Sequence, residues 1–123
     1  MPPTLPRKVA ITGATGFIGV ALIKALAERG DEVRILSRHL SVSTGVFQGL
    51  KLFQGDICHQ IDRMFLDGVH TVYHLAAELS DESRMHAVNV VGTSNLLTAA
   101  VSAGVCRWIQ LSSIGVYGPP TCP

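Results

Sequence analysis

The run Thr12-Gly13-Ala14-Thr15-Gly16-Phe17-Ile18-Gly19 restricts the fold more than any other part of this chain, because of what stands on either side of it. Before it lies Val9-Ala10-Ile11-Thr12, a short apolar strand. After it, Ala21, Leu22, Ala25 and Leu26 recur at helical spacing until Gly30 stops them. Three glycines spaced by three between a strand and a helix make a loop whose backbone can come very close to a ligand. Gly13 permits the tight turn, Gly16 lets the backbone approach a pyrophosphate, and Gly19 allows the helix to pack closely on the sheet. The helix N-terminus adds free N–H groups and a positive dipole, so Thr15, Phe17 and Ile18 join the glycines as phosphate-binding candidates. The spacing, G-x-x-G-x-x-G, differs from the G-x-G-x-x-G fingerprint of dinucleotide-binding units, and glycines at a turn can be purely structural.

The remaining pattern alternates strand and helix. Met1 to Pro6 holds three prolines and reads as a disordered leader, so residues 1–7 are set apart from one domain over 8–123. Glu32 to Ser37 is a β-branched-rich second strand and Leu50-Lys51-Leu52-Phe53 a third, with an irregular stretch at 41–49 between them. Ile61, Met64 and Phe65, stopped by Gly68, give a brief helix. Thr71 to Leu75 is a buried fourth strand, a long helix runs from about Ser83 to Ala103, and Arg107 to Leu111 is the fifth strand. Strands alternating with helices imply parallel pairing and right-handed crossovers. The expected fold class is α/β, an open parallel sheet with helices on both faces.

Composition removes several function classes. The 123 residues carry ten Lys and Arg against nine Asp and Glu, a formal charge of +1, and the basic residues are dispersed among acids. That argues against a nucleic-acid partner. Cys58, Cys106 and Cys122 are odd in number and form no C-x-x-C pair, which fits a reducing cytoplasm; Cys106 is expected to pack as a small hydrophobe and Cys122 to be a free thiol. Two stretches imitate membrane signals. Arg7-Lys8 before the uncharged run Val9 to Ile23 resembles a signal peptide, but Lys24 interrupts it. Ala87 to Cys106 has no charge over twenty residues, yet its Asn, Thr, Ser and Gly content favours a helix buried in protein over a bilayer span. His70 and His74 suggest a metal pair, but four residues along a strand separate them by roughly 13 Å, too far to share an ion. No metal site is expected.

Five segments in chain order resemble one family. Thr12 to Gly19 is similar to its T-G-x-x-G-x-x-G fingerprint, Gly55-Asp56-Ile57 to the acid that follows its third strand, and His74-Leu75-Ala76-Ala77 to the end of its fourth. Asn89-Val90-Val91-Gly92-Thr93-Ser94-Asn95-Leu96-Leu97 matches N-V-x-G-T-x-N-L-L of its long helix, and Leu111 to Gly118 matches its S-S-x-x-V-Y-G segment. The family is that of the extended short-chain dehydrogenases/reductases, the NAD-dependent epimerase/dehydratase group, and the resemblance covers about residues 8 to 118. It implies a Rossmann-type doubly wound parallel sheet of order 3-2-1-4-5, truncated after the fifth strand, with the dinucleotide at the switch point between the first and fourth strands.

The resemblance implies a cofactor-binding set of Gly13, Thr15, Gly16, Phe17, Ile18, Gly19, Ser37, Arg38, Asp56, Ile57, Leu75, Ala76, Ala77 and Ser112, and a catalytic serine at Ser113. On the residues alone, Asp56 can accept from an adenine amino group or close an Asx turn. Asn89, poorly favoured in a helix, reads as a structural hydrogen bond to a neighbouring strand. Ser37-Arg38 stands where an NAD-selective site carries an acid on the ribose 2′-hydroxyl, so Arg38 points to a 2′-phosphate and to NADP, with NAD as the alternative. The family's Y-x-x-x-K pair is absent. The expected function is therefore the NAD(P)-binding part of a longer epimerase, dehydratase or reductase that transfers hydride to or from a nucleotide sugar or other hydroxyl or carbonyl substrate, without turnover by these residues alone. The rival reading is a non-catalytic NADP-binding sensor or interaction module. A homodimer is left open.

Overall fold

The computed structural model describes residues 5–39 and 49–121. Met1 to Thr4, residues 40–48 and Cys122-Pro123 lie outside them, and with them most of the expected leader, nearly all of the irregular stretch and the Cys122 thiol.

Five parallel strands form the sheet: β1 (Lys8–Thr12), β2 (Glu32–Ser37), β3 (Lys51–Gln54), β4 (Thr71–His74) and β5 (Arg107–Gln110), in the order β3-β2-β1-β4-β5. β1 is central: it pairs β2 from Lys8↔Glu32 to Thr12↔Leu36, and β4 from Val9↔Thr71 to Thr12↔His74. Its alternating side chains feed two cores. Val9 and Ile11 join Val33, Ile35, Ile23 and Leu26 beneath α1 (Phe17–Glu28), while Ala10 joins Val72, Phe65, Leu66, Leu96 and Ala100 on the other face. The second core is closed by α2 (Arg63–Leu66) and α4 (Thr93–Ser102), so helices cover both faces, as the alternation required.

Arg34 is an unusual member of this interior, 4% exposed on β2. Its guanidinium donates to the carbonyls of Met64 and Asp67 at 2.6 and 2.8 Å, closing the end of α2, and to Glu32 Oε1 at 3.0 Å. Each part of the buried charge thus has an acceptor.

The long helix differs from its expected form. Residues 82–102 are helical throughout, but only α3 (Glu82–Met85) and α4 are α-helical; His86–Gly92 between them winds as a π-helix. Nor is the segment buried all round. Gly92, Leu96 and Ala100 face inward, whereas Val90, Val91, Leu97 and Val101 are exposed, so its freedom from charge reflects a half-covered helix. No helix among the described residues is long and apolar enough to cross a membrane.

Two smaller expectations fail at the β5 end. Cys106 is exposed: it sits in the turn before an edge strand, its Sγ directed to the Gly104 carbonyl, with no core against it. The strand also ends one residue earlier than expected, ahead of the two serines. β5 stops at Gln110, the Leu111 amide still donates to the His74 carbonyl at 3.0 Å, and Ser113 begins a 3₁₀ turn over Ile114–Tyr117.

Candidate functional site

The C-terminal ends of β1, β2, β3 and β4 open onto one cleft. Thr12, Gly13, Ala14 and Thr15 line it from the first loop, Leu36, Ser37 and Arg38 from the second strand, Gly55, Asp56 and Ile57 from the third, and Ala76, Glu78, Arg84 and Val88 from the segment after β4. It lies at the switch point between β1 and β4, where open α/β sheets take ligands.

The three glycines of the loop do three different things. Gly13 has φ +71°, and a Cβ there would lie 2.5 Å from the Ala76 nitrogen, so the turn and its approach to the β4 loop both exclude a side chain. Gly19 is also fully packed, but against the loop rather than the sheet: its Cβ would meet the Gly13 carbonyl at 2.6 Å and Ala14 Cα at 2.7 Å. This corrects the expected helix-on-sheet contact. Gly16 is open, its Cβ position meeting nothing nearer than the Gly13 carbonyl at 3.6 Å. It is the N-cap of α1, no side chain caps that helix, and its first turn carries no acid. The first-turn amides of Phe17, Ile18 and Gly19 are therefore left for an anion.

Beneath the loop, buried hydroxyls and one imidazole fix the strand ends. Thr12 Oγ1 and His74 Nδ1 are 2.6 Å apart, His74 Nε2 and Thr93 Oγ1 are 2.8 Å apart, and the Ala76 amide donates to Thr12 Oγ1 at 3.3 Å. His74 is 2% exposed, and burial pushes its pKa below the usual histidine value, keeping the ring neutral. Its role is to tie β1, β4 and α4 together, as a packed strand exit would. His70 instead faces the entrance, its Nδ1 2.8 Å from Thr71 Oγ1. No three His, Cys, Asp or Glu side chains among the described residues cluster closely enough to hold a metal.

Asp56 takes the Asx-turn conformation. Its Oδ1 accepts from the Cys58 amide at 2.9 Å, an Asx turn, and that bond holds the carboxyl below its ordinary range. Asp56 also lines the cleft, with its Oδ2 3.9 Å from His59 Nδ1. Ser37 is turned onto the backbone, its Oγ donating to the His39 carbonyl at 2.8 Å. Asn89 makes the structural bonds expected of it, but to a loop rather than a strand: Oδ1 accepts from the Glu78 amide at 2.8 Å and Nδ2 donates to the Glu78 carbonyl at 2.9 Å.

Of the expected site residues, Gly13, Thr15, Ser37, Arg38, Asp56, Ile57 and Ala76 line the cleft. Gly16, Phe17, Ile18 and Gly19 border it at the head of α1, with the Phe17 ring 95% exposed. Leu75 packs against the α1-side core and Ala77 is exposed on the β4 loop. Ser112 and Ser113 stand apart and exposed; Ser113 Oγ accepts from the Gly115 amide at 3.1 Å. Glu78, Arg84 and Val88 were not foreseen, because their place depends on how the segment after β4 folds back over the cleft. Glu78 shapes that segment: its Oε1 accepts from the Ser80 and Asp81 amides and the Ser80 hydroxyl at 3.0–3.1 Å, and these donors pull the carboxyl down to about 2.

Known proteins share this fold. The 3β-hydroxysteroid dehydrogenase/Δ5→4-isomerase of Mycobacterium tuberculosis is 38% identical over 120 residues, covering 89% of this chain and 32% of that protein. Among solved structures, a short-chain dehydrogenase/reductase superfamily protein from Agrobacterium tumefaciens with bound NAD superposes with TM-score 0.76 at 34% identity, covering 90% of this chain and 34% of the other. MoeE5 in complex with UDP-glucuronic acid and NAD superposes with TM-score 0.80 at 34% identity, covering 92% and 39%. The chain thus spans about a third of the length of the relatives it matches. The model of the NAD dependent epimerase/dehydratase family matches residues 9–123, and the chain belongs to that family.

Proposed function

We propose that this chain is the cofactor-binding part of an epimerase, dehydratase or reductase that acts by hydride transfer on a nucleotide sugar or another hydroxyl or carbonyl substrate. The observation that carries the reading is the open face of Gly16 beside the uncapped first turn of α1, at the mouth of the β1/β4 cleft. A pyrophosphate fits there because backbone N–H groups and the helix dipole favour an anion where no side chain intrudes. Asp56 and Ile57 then receive the adenine, Asp56 through its remaining carboxylate oxygen. Leu75, Ala76, Ala77 and Ser112 border the nicotinamide half, and Ser113 holds the substrate oxygen once its hydroxyl leaves the Gly115 amide. The bound dinucleotide supplies or accepts the hydride. The steroid dehydrogenase relative and the neighbour holding UDP-glucuronic acid both support a carbinol or carbonyl substrate.

NADP is the preferred cofactor in this reading. Ser37 occupies the acid position with its hydroxyl engaged by His39, and Arg38 lines the cleft beside it. The neighbours named above hold NAD, so the preference rests on these two residues. The cysteine usage supports a cytoplasmic setting.

Calorimetric titration of NADPH into the chain and its Gly16→Val variant tests the main reading. Residue 16 has φ −75° and room for a Cβ, so the variant folds, and its affinity should fall at least ~100-fold through a side chain placed against the pyrophosphate. Equal affinity in a folded Gly16→Val protein would falsify the site.

A further inference from the structure

The charged groups around the cleft are unequally satisfied. Asp56 Oδ1 is held by the Cys58 amide and Glu78 Oε1 by three donors. The guanidinium groups of Arg38 and Arg84, which line the same cleft, make no hydrogen bond or ion pair among the described residues. Asp81, three residues before Arg84, gives its Oδ1 to the Ser83 amide and hydroxyl at 3.0 and 2.5 Å, which fixes the start of α3 and leaves Arg84 unpaired.

Both arginines converge on the turn Gly55-Asp56-Ile57. Gln54 Nε2 donates to the Arg38 carbonyl at 3.3 Å, so Arg38 stands against the residue just before the turn. The helical unit carrying Arg84 presses on the other side. Cys58 Sγ donates to the Ala87 carbonyl at 3.3 Å, Asn95 Nδ2 donates to the Ile57 carbonyl at 3.0 Å, and a Cβ on Gly92 would lie 2.6 Å from Ile57. Asp56 and Glu78 match the two arginines in formal charge, but neither carboxylate bonds a guanidinium among the described residues, so both guanidinium groups keep their donors for an anion. The Cys58 thiol, raised mainly by burial, is drawn back down by the charges of Arg84 and Arg38 alike. Asp56, held low mainly by the Cys58 amide, is lowered further by His59 and Arg38. One guanidinium is therefore partly offset by Asp56, and a phosphate monoester, near two negative charges at neutral pH, needs a second.

We propose that Arg84 is a second specificity-determining residue, which with Arg38 receives the ribose 2′-phosphate of NADP(H). The inference rests on the NADP preference proposed above, and it makes that preference a property of two elements, β2 and α3, that meet over the adenosine.

The test is equilibrium titration at about 0.15 M ionic strength, where exposed charges are screened beyond roughly 8 Å. NADP, NAD, 2′,5′-ADP and 5′-AMP are titrated into the chain and into Arg38→Ala, Arg84→Ala and Arg84→Lys. Arg84→Ala should weaken NADP and 2′,5′-ADP by ~10-fold, the loss of one charge-assisted hydrogen bond, while NAD and 5′-AMP change by less than ~2-fold; Arg84→Lys should recover part of the loss. Arg84→Gln serves if the alanine variant does not fold. Equal weakening of all four ligands would assign Arg84 to the adenine or pyrophosphate and overturn the proposal, as would no weakening of any. If the chain prefers NADP, loses that preference in Arg38→Ala and keeps it in Arg84→Ala, the Arg84 assignment alone fails. If the chain binds NAD as tightly as NADP, the preference fails and this proposal with it.

Discussion

Strands β1 and β5 both end at candidate site residues, yet β1 is buried from Val9 to Thr12 whereas β5 leaves Arg107, Ile109 and Gln110 exposed. β1 has a ladder on each side, and the loop it delivers is held by the Thr12–His74–Thr93 chain and by the glycine contacts to Ala76 and Ala14. β5 pairs with β4 alone, and the hydroxyl beyond it is held by one local amide. A site positioned by buried contacts is pre-organised before its ligand arrives, whereas a site positioned by exposed local bonds opens at low free energy. The glycine loop is thus a property of the core, and the serine segment is a property of its immediate neighbours in sequence.

The sharpest way to break that contrast is to place a side chain where the core forbids one. Gly13→Ala combines a left-handed φ with a Cβ 2.5 Å from backbone, neither of which can relax without moving the β4 loop. Chemical denaturation should show a loss of about 4 kcal/mol, the sum of backbone strain and overpacking. A loss under about 1 kcal/mol would mean that the loop yields easily and is no better fixed than the β5 end.

Thr12→Val keeps the shape of the side chain and removes its hydroxyl. His74 Nδ1 and the Ala76 amide then lose their partner at the floor of the cleft. The expected cost is about 3 kcal/mol, two buried polar groups left unsatisfied, read from the same denaturation curves. Because the Ala76 loop shares this hydroxyl, cofactor affinity should fall as well, although Thr12 Oγ1 is engaged within the protein. If stability falls and affinity holds, the buried chain supports the fold without shaping the loop.

How much of this was legible follows from where each signal lives. The five strands and the glycine loop rest on local periodicity and on turn chemistry, which a sequence displays directly, and each strand lies within a residue of its expected place; the sheet order came from the family resemblance, and it holds. The two-glycine lock of Gly13 and Gly19 was legible as a need for close packing, but its partner was not, because the helix folds back on its own loop. The π-helix was invisible: nothing in the spacing of His86 to Gly92 separates it from an α-helix, and only in the fold do Gly92 and Asn89 of that segment meet Ile57 and the Glu78 loop. Arg84 was missed for the same reason, being a surface arginine in sequence and a cleft residue only after that fold-back. The 3₁₀ turn that begins at Ser113 was not legible, because a serine pair after apolar residues looks alike whether a strand continues or a turn begins.

The imidazole beneath the loop gives a milder probe, since pH changes it without a mutation. Burial lowers the His74 pKa in the folded protein below the value of 6.5 that it has when exposed. As pH falls, the unfolded chain takes up the proton first, so the contribution is complete above about pH 6.5 and is lost as pH falls through the lower, folded value. Denaturation midpoints should therefore drop between pH 7 and pH 5. Glu32, Asp56 and Glu78, with depressed pKa values, act below about pH 4.5, outside that window. His74→Gln should flatten the slope between pH 7 and 5 while lowering stability throughout; an unchanged slope would show that His74 is not a buried neutral link.

The smallest effect is expected at the other end of the comparison. Ser113 caps a single 3₁₀ turn, every residue from Leu111 to Thr121 is exposed, and its hydroxyl touches one amide that water can serve equally well. Ser113→Ala should change stability by no more than about 0.5 kcal/mol and cofactor affinity by less than about twofold, the range of a surface substitution. That near-silence gives the position its diagnostic use. A side chain that matters to neither fold nor cofactor, and matters to turnover, acts on the substrate. In an extended form that carries the family's tyrosine and lysine, the same substitution should lower kcat about 100-fold with cofactor affinity unmoved, as removal of one oxyanion-type donor does. Should Ser113→Ala instead cost 2 kcal/mol or more in this chain, the serine segment is packed as firmly as the glycine loop, and the division of the site into a core-built half and a locally held half fails.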